Sequence, residues 1–287
     1  MKKIFFICCI LIATSFFITS CKEDVNGPHS PVEGQYFSTK SGSRWIFSNY
    51  HLYNDDNNNP VVQELSDRDT LSQLESQNVL GQNAIMLRHR FVNPISQSAS
   101  TANYAMYENV ALNQLFVNSD FLKIFLPDIV QIFWDIASFD DNKWYKLADG
   151  NAKNEWMLDS FELTDASLPL PGLEITLNGF LKFGVKRNSD TLVASYSANT
   201  YTISVFFEGK VNSTNPTFGA IFSLADKVKL ELMQTNFYLS SGKGLVGIYS
   251  PIQNMTATTY SIIGQQEFPL PFAIPGFDKR LIDINIK

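Results

Sequence analysis

Cysteine is almost absent from this chain: three occur in 287 residues, Cys8, Cys9 and Cys21, and none follows Cys21. A body without cysteine has no intrachain disulfide to hold it, so its stability must come from core burial alone. Histidine is as scarce, with three residues. His29, His51 and His89 stand in separate stretches, none with a second ligand nearby at metal-binding spacing. No Gly-x-Ser-x-Gly elbow, His-Glu-x-x-His, phosphate-binding loop or dinucleotide fingerprint is present. Basic clusters are missing too. The formal net charge is −6, and an acidic chain without a basic patch is a poor match for nucleic acid or anionic headgroups. Without a nucleophile-base pair or a metal set, the chain reads as a non-enzyme with no metal and no cofactor.

What is present begins with Met1 to Cys21. Lys2 and Lys3 precede an apolar and hydroxyl run, Ile4 to Ile18, and then Thr19-Ser20-Cys21. A basic start, an apolar run too short to span a bilayer comfortably and small residues at the end make a secretory signal. Ile18-Thr19-Ser20-Cys21 also resembles the lipobox of bacterial lipoproteins. That resemblance implies cleavage before Cys21, a diacylglycerol on its sulfur and acylation, as with palmitate, of the new amino terminus. Several acyl chains give stable anchoring where one is marginal. Lys22 to Gln35 carries two prolines and two glycines without apolar periodicity. It reads as a tether with a reach of about 45 Å. Its acidic Glu23-Asp24 resembles the surface-export signal of lipoproteins in one group of Gram-negative bacteria, and Lys22 stands where some enteric lipoproteins carry an inner-membrane-retaining aspartate. The expected location is the outer membrane, at its periplasmic face or on the cell surface. The expected division is a signal over 1–20, acylated cysteine and tether over 21–35, and one β-rich domain over 36–287.

Hydrophobic residues make up 45% of the chain and aromatic residues 13%, with 23 phenylalanines, enough for a sizeable core. Trp45-Ile46-Phe47 opens a β-rich stretch. Strands are expected around Asp69 to Leu74, Ala84 to Phe91, Tyr104 to Tyr107 and Gln114 to Val117. In the second of these, Ile85, Leu87 and His89 share one face. From Pro127, Ile129, Ile132, Phe133 and Ile136 recur at helical spacing, and proline suits a first helical turn. The second half alternates with period two. Leu173, Ile175, Leu177, Leu181, Phe183 and Val185 share one phase. Tyr201, Ile203, Val205, Phe207 and Val211 share another. Phe218 through Leu232 keeps even register apart from Asp226. Such runs are long antiparallel strands with one buried and one wet face, and Gly179, Gly184 and Gly209 fit bends in them. Ile282, Ile284 and Ile286 alternate with polar residues in a last strand.

Tyr36-Phe37, Gly42, Trp45-Ile46-Phe47 and the later Gly244-Leu245-Val246 step resemble uncharacterised bacterial lipoproteins. Some of these have a curved sheet like the lipoprotein-localisation factors; Ser38 stands where the group usually has proline. The fold expected is mainly β, a strongly curved antiparallel sheet or open half-barrel with one covering helix at Pro127 to Ser138. Asp55-Asp56, Asp67 with Asp69, and Asp140-Asp141 adjoin turn-like stretches, and Asp55 to Asn59 lacks the spacing and closing glutamate of a calcium loop. Four tryptophans suit a core as well as a sugar platform. Phe180 and Phe206 are the exceptions, since each interrupts the polar phase of its strand. With Phe133 above them they are the candidate ligand-binding residues, and Cys21 is the lipidation site. Two functions follow: a non-catalytic binding module or carrier for an apolar small molecule or lipid, or a structural lipoprotein docking a protein partner or glycan.

Overall fold

Sixteen strands form one continuous antiparallel sheet in a computed structural model, which describes residues 35–38, 40–92, 99–122, 124, 139–170, 173–262 and 264–287. The first half contributes β1 (Arg44–Asn54), β2 (Pro60–Gln73), β3 (Gln77–Val79), β4 (Gln82–Val92), β5 (Ala99–Asn109), β6 (Gln114–Val117) and β7 (Tyr145–Asp149). The second contributes β8 (Trp156–Leu170), β9 (Leu173–Arg187), β10 (Thr191–Val193), β11 (Tyr196–Ser213), β12 (Lys227–Ser240), β13 (Gly244–Ser250), β14 (Gln253–Ser261), β15 (Gly264–Ile274) and β16 (Gly276–Asn285). Among the described residues the helices are Ser119–Leu122 and Pro216–Ser223, with a single 3-10 turn at Val110–Leu112.

The strand order is β7-β6-β5-β4-β2-β1-β16-β13-β12-β11-β9-β8. Read as a ring, this is the order of the chain itself, with β3, β10, β14 and β15 as side branches. The sheet therefore curls into a nearly closed barrel. Its first and last strands pair directly, Trp45 opposite Ile284, Phe47 opposite Leu281 and Asn49 opposite Lys279. The one seam lies between β7 and β8, where side chains replace the ladder. The Trp156 indole donates to the Lys146 carbonyl at 2.7 Å, and the Lys143 ammonium meets Asp159 at 2.8 Å. This is the mainly β, strongly curved antiparallel sheet expected from sequence, closed further than a half-barrel. The helix expected at Pro127 to Ser138 lies outside the described residues.

The wall bends where two glycines meet. A Cβ on Gly179 would come within 2.4 Å of the Glu208 carbonyl, and one on Gly209 within 2.3 Å of the Asn178 carbonyl. Only side-chain-free backbones approach so closely. On the outer neighbour β8 the register shifts between Leu163 and Ala166, and Asp165 there takes a left-handed φ of 49°. The bulge carries the same bend onward.

The apolar phase of each long strand points inward. Leu181, Phe183 and Val185 of β9, Tyr201, Ile203, Val205 and Phe207 of β11, and Leu230, Leu232 and Phe237 of β12 are all buried. The stretch from Phe218 is the correction to the alternating pattern. It is not strand as far as Asp226; Pro216–Ser223 is a helix. Asn215 caps it, its side-chain oxygen accepting from Thr217 N at 3.0 Å and Phe218 N at 3.4 Å, with proline in the first turn. Phe218 and Phe222 satisfy both periods, two residues and four, and the rings stack at 6.2 Å along the helix. A period of two alone does not separate the two states over so short a run.

Val205 is 1% exposed, while Ser204 faces outward. Val205→Asp buries a carboxylate without a partner and should cost roughly 3 kcal/mol or more; Ser204→Asp should stay within about 0.5 kcal/mol. Thermal denaturation of both variants checks this, and equal losses would show that the two phases are misassigned.

Candidate functional site

Five neighbouring strands of the ring carry a polar rung across the inner wall: Lys279 on β16, Asn49 on β1, Asp69 on β2, His89 on β4 and Tyr104 on β5. Asn49 stands opposite Lys279. Asp69 is opposite Phe47, His89 opposite Leu71 and Leu87 opposite Tyr104. From Asn49 onward each successive member is thus offset by two residues, a diagonal that long side chains span.

Asp69 is 3% exposed and His89 5%. A carboxylate at that depth needs several donors, and Asp69 has three. Its Oδ1 accepts from the Asn49 amide at 3.0 Å. Its Oδ2 accepts from His89 Nε2 at 3.2 Å and from the Lys279 ammonium. Burial pushes the Asp69 carboxyl up, but the Lys279 charge and the His89 hydrogen bond outweigh it and hold it well below the usual carboxylate range. Burial pushes the His89 imidazole down, Lys279 adds to this, and the attraction of Asp69 does not make up the difference. The ring is therefore neutral. Nε2 against a carboxylate carries the proton, so Nδ1 accepts from the Tyr104 hydroxyl at 3.2 Å. Tyr104 is raised by burial, then by the charges of Asp120 and Asp69, and it sets its ring edge-on to Phe121 at 5.5 Å.

Every ionisable member of this rung is already engaged. The imidazole has no free lone pair to act as a base, and a phenol with a raised pKa is a poor nucleophile. Chemically, the rung divides the interior. On one side lie Trp45, Phe47, Leu71, Leu87 and Met106, all buried. On the other the wall continues in half-buried rings. Phe91 lies tilted against His89 at 5.1 Å, His51 sits beside Tyr53 at 5.2 Å, and His51 faces Phe277 in register. This aromatic stretch, with a charged floor, is the candidate binding surface.

Asp69 and His89 are the members that sequence reading passed over, as a turn-side acid and an ordinary strand histidine. The signal was that both occupy the apolar phase of their strands. Asp55 stays a turn residue, its carboxylate accepting from Asn57 N at 2.9 Å and Asn59 N at 2.8 Å. Phe180 and Phe206 lie on the outer wall. Phe180 is 46% exposed. Phe206 lies diagonally beside it, since Phe206 pairs with Lys182 and Phe180 with Glu208. The Phe206 ring sits between the ammonium groups of Lys229, 4.8 Å away, and Lys182, 6.0 Å away. Glu208 ties Lys182 and Lys227 together at 2.6 and 2.9 Å. The pair therefore forms a short strip edged by lysines. Phe133 and Cys21 lie outside the described residues.

No family model matches the chain, and no curated protein matches it by sequence. Two solved structures are similar to it. One is a "putative lipoprotein" from Parabacteroides distasonis ATCC 8503, with a TM-score of 0.41 and 10% identity over 88% of this chain and 98% of that one. The other is a "putative outer membrane lipoprotein-sorting protein domain" from Vibrio parahaemolyticus, with a TM-score of 0.24 and 10% identity over 86% of each chain.

Removing the Asp69 charge leaves Lys279 and His89 without their partner. Asp69→Asn should cost about 3 kcal/mol in urea denaturation at neutral pH. The pH dependence follows from the directions of the shifts. A depressed carboxyl stabilises above its ordinary range and loses that contribution as pH falls through it. A depressed imidazole is likewise destabilising under acid, because the unfolded chain takes up the proton first. The wild-type chain should therefore lose stability on acidification, and Asp69→Asn should show a flatter acid limb. An unchanged limb would remove Asp69 from the account.

Proposed function

We propose that the chain is a lipid-anchored, non-catalytic binding module held at the outer membrane through Cys21, and that its ligand is an apolar small molecule or lipid. Exposure at the cell surface suits the acidic opening of the tether. The lipobox-like ending of the signal supports the anchor. The observation that carries the binding reading is the inner wall beyond the Asp69–His89 rung. The interior on one side of it is packed with buried apolar side chains, yet Phe91, His51 and Phe277 stay half-buried. Apolar walls with a few placed polar groups are the usual lining of small-molecule sites. The engagement of Asp69, His89 and Lys279 with one another supports a non-catalytic role for the rung.

A second reading is favoured by a different observation. The lysine-edged strip of Phe180 and Phe206 on the outer wall suits docking of a protein partner or a glycan, with the barrel as a filled scaffold. One experiment separates the two. The soluble Cys21→Ser chain is purified, and co-purifying lipids are identified by mass spectrometry for it and for Phe91→Ser, Phe180→Ser and Phe206→Ser. An interior ligand should be lost from Phe91→Ser and kept by the two outer variants. Loss from the outer variants alone would move the site to the strip, and no bound lipid in any of them would end the carrier reading. In the same cells, Cys21→Ser should shift the protein from the membrane to the soluble exported fraction.

A further inference from the structure

Gln35 to Ser38 cross the end of the barrel where β1 begins, and none of them joins a strand. Yet Tyr36 and Phe37 are only 1% and 2% exposed. The Glu108 carboxylate, near the end of β5, accepts both backbone N–H groups on Oε1, Tyr36 at 2.8 Å and Phe37 at 3.0 Å. The Tyr36 phenol reaches Asn199 at 3.0 Å, the Tyr201 hydroxyl at 3.1 Å and Asn113 at 3.4 Å. Phe37 stands edge-on to Trp45 at 5.5 Å. Its ring fills the space beside Gly244, where a Cβ would approach it to 2.6 Å. At the flanks, the Gln35 carbonyl accepts from Gly242 N at 2.8 Å, and the Ser38 carbonyl accepts from Gln73 Nε2 at 2.6 Å.

Two features set this seat apart from ordinary core. A position buried for good is most cheaply lined with apolar groups; the Phe37 ring has such a lining in Trp45 and Gly244, whereas the backbone and the Tyr36 phenol meet a carboxylate, two amides and a phenol. The barrel ladders, including the closing pair of β1 and β16, use none of residues 35–38. We propose that this mouth of the barrel is a docking site for the chain's own Tyr36–Phe37 dipeptide, occupied reversibly, so that the segment leading in from the tether is a stopper that leaves without unfolding the wall. The inference goes beyond the binding reading and stands whatever the barrel binds.

Reversible seating leaves a signature at Glu108. Burial pushes its carboxyl up to about 7 against the pull of the two N–H donors, from an ordinary 4.5 to which it returns once the seat is vacant and wet. Between those values the seated form holds a proton that the vacated form releases. Seating is therefore strongest below the window and weakens as pH rises through it, by at most about tenfold per unit. The other ionisable groups at the seat are Tyr36 and Tyr201, both pushed further above the window by burial, with the Arg187 and Asp149 side chains acting on Tyr201. Against the cost of burial, Asp149 is held below the ordinary carboxylate range by Lys146 and Gln114.

Amide hydrogen exchange on the soluble Cys21→Ser chain, tether intact, tests this directly. Tyr36 and Phe37 should be protected at least about a hundredfold less than Ile203 in β11, because they open locally. Once corrected for intrinsic rate, their protection should fall between pH 5 and pH 7, and Glu108→Gln should abolish that fall. Protection equal to that of Ile203 would make the dipeptide permanent core and overturn the proposal. A fall that persists in Glu108→Gln would overturn the role given to Glu108.

Discussion

The pairing of β1 with β16 is the joint on which the rest of the molecule depends. Around the ring the strands follow the order of the chain, so the intermediate pairings join segments far nearer in sequence than β1 and β16. The joint alone brings the two ends of the domain together. Left apart, β1 and β16 would be two open edges, each with a row of unpaired backbone groups. Trp45 and Phe47, now among the largest fully buried side chains, would lose their cover. The seam at β7 and β8 does not carry the same burden. It is a local gap between consecutive strands, bridged by Trp156 and the Lys143–Asp159 ion pair.

The polar rung crosses that joint. Lys279 lies on β16, Asn49 on β1 and His89 on β4, so the three donors to the buried Asp69 carboxylate on β2 come from three different strands. Apolar side chains tolerate a two-residue slip between strands, because their phase is unchanged. A carboxylate does not, since a slip strands it without donors in a medium that strongly disfavours bare charge. The rung is thus suited to specifying register where the barrel closes, whether or not it adds net stability. Beyond it the wall continues in the half-buried rings of Phe91, His51 and Phe277.

Both ends of this arrangement use ionisable groups, with opposite pH dependence. The depressed Asp69 and His89 make acid unfavourable to the closed ring. The raised Glu108 makes acid favourable to the seated N-terminal dipeptide. The difference lies in the partners. Asp69 faces an ammonium and an imidazole N–H, whereas Glu108 faces only backbone N–H groups and the cost of burial.

Much of the wall was legible in the residues alone. Alternation over Leu173 to Val185 and Tyr201 to Val211 told which side chains face inward, because a strand's two faces follow from its period of two. The same reasoning marked Phe180 and Phe206 as misfits on the wet phase. The run through Phe218 and Phe222 misled because two and four residues share a multiple, and Asn215-Pro216 was the cap that decided it. Periodicity names a strand's face and leaves its partner open. Nothing local to Asp69 tells that Lys279, 210 residues away, will supply its counter-charge, or that Tyr36 will find Tyr201 165 residues on. Those meetings exist only once the ring closes. The residues by themselves determined most of the strands and their inner faces, because a period of two is local; tertiary structure decided which strands are neighbours, where buried charges find partners and where Tyr36 and Phe37 are seated.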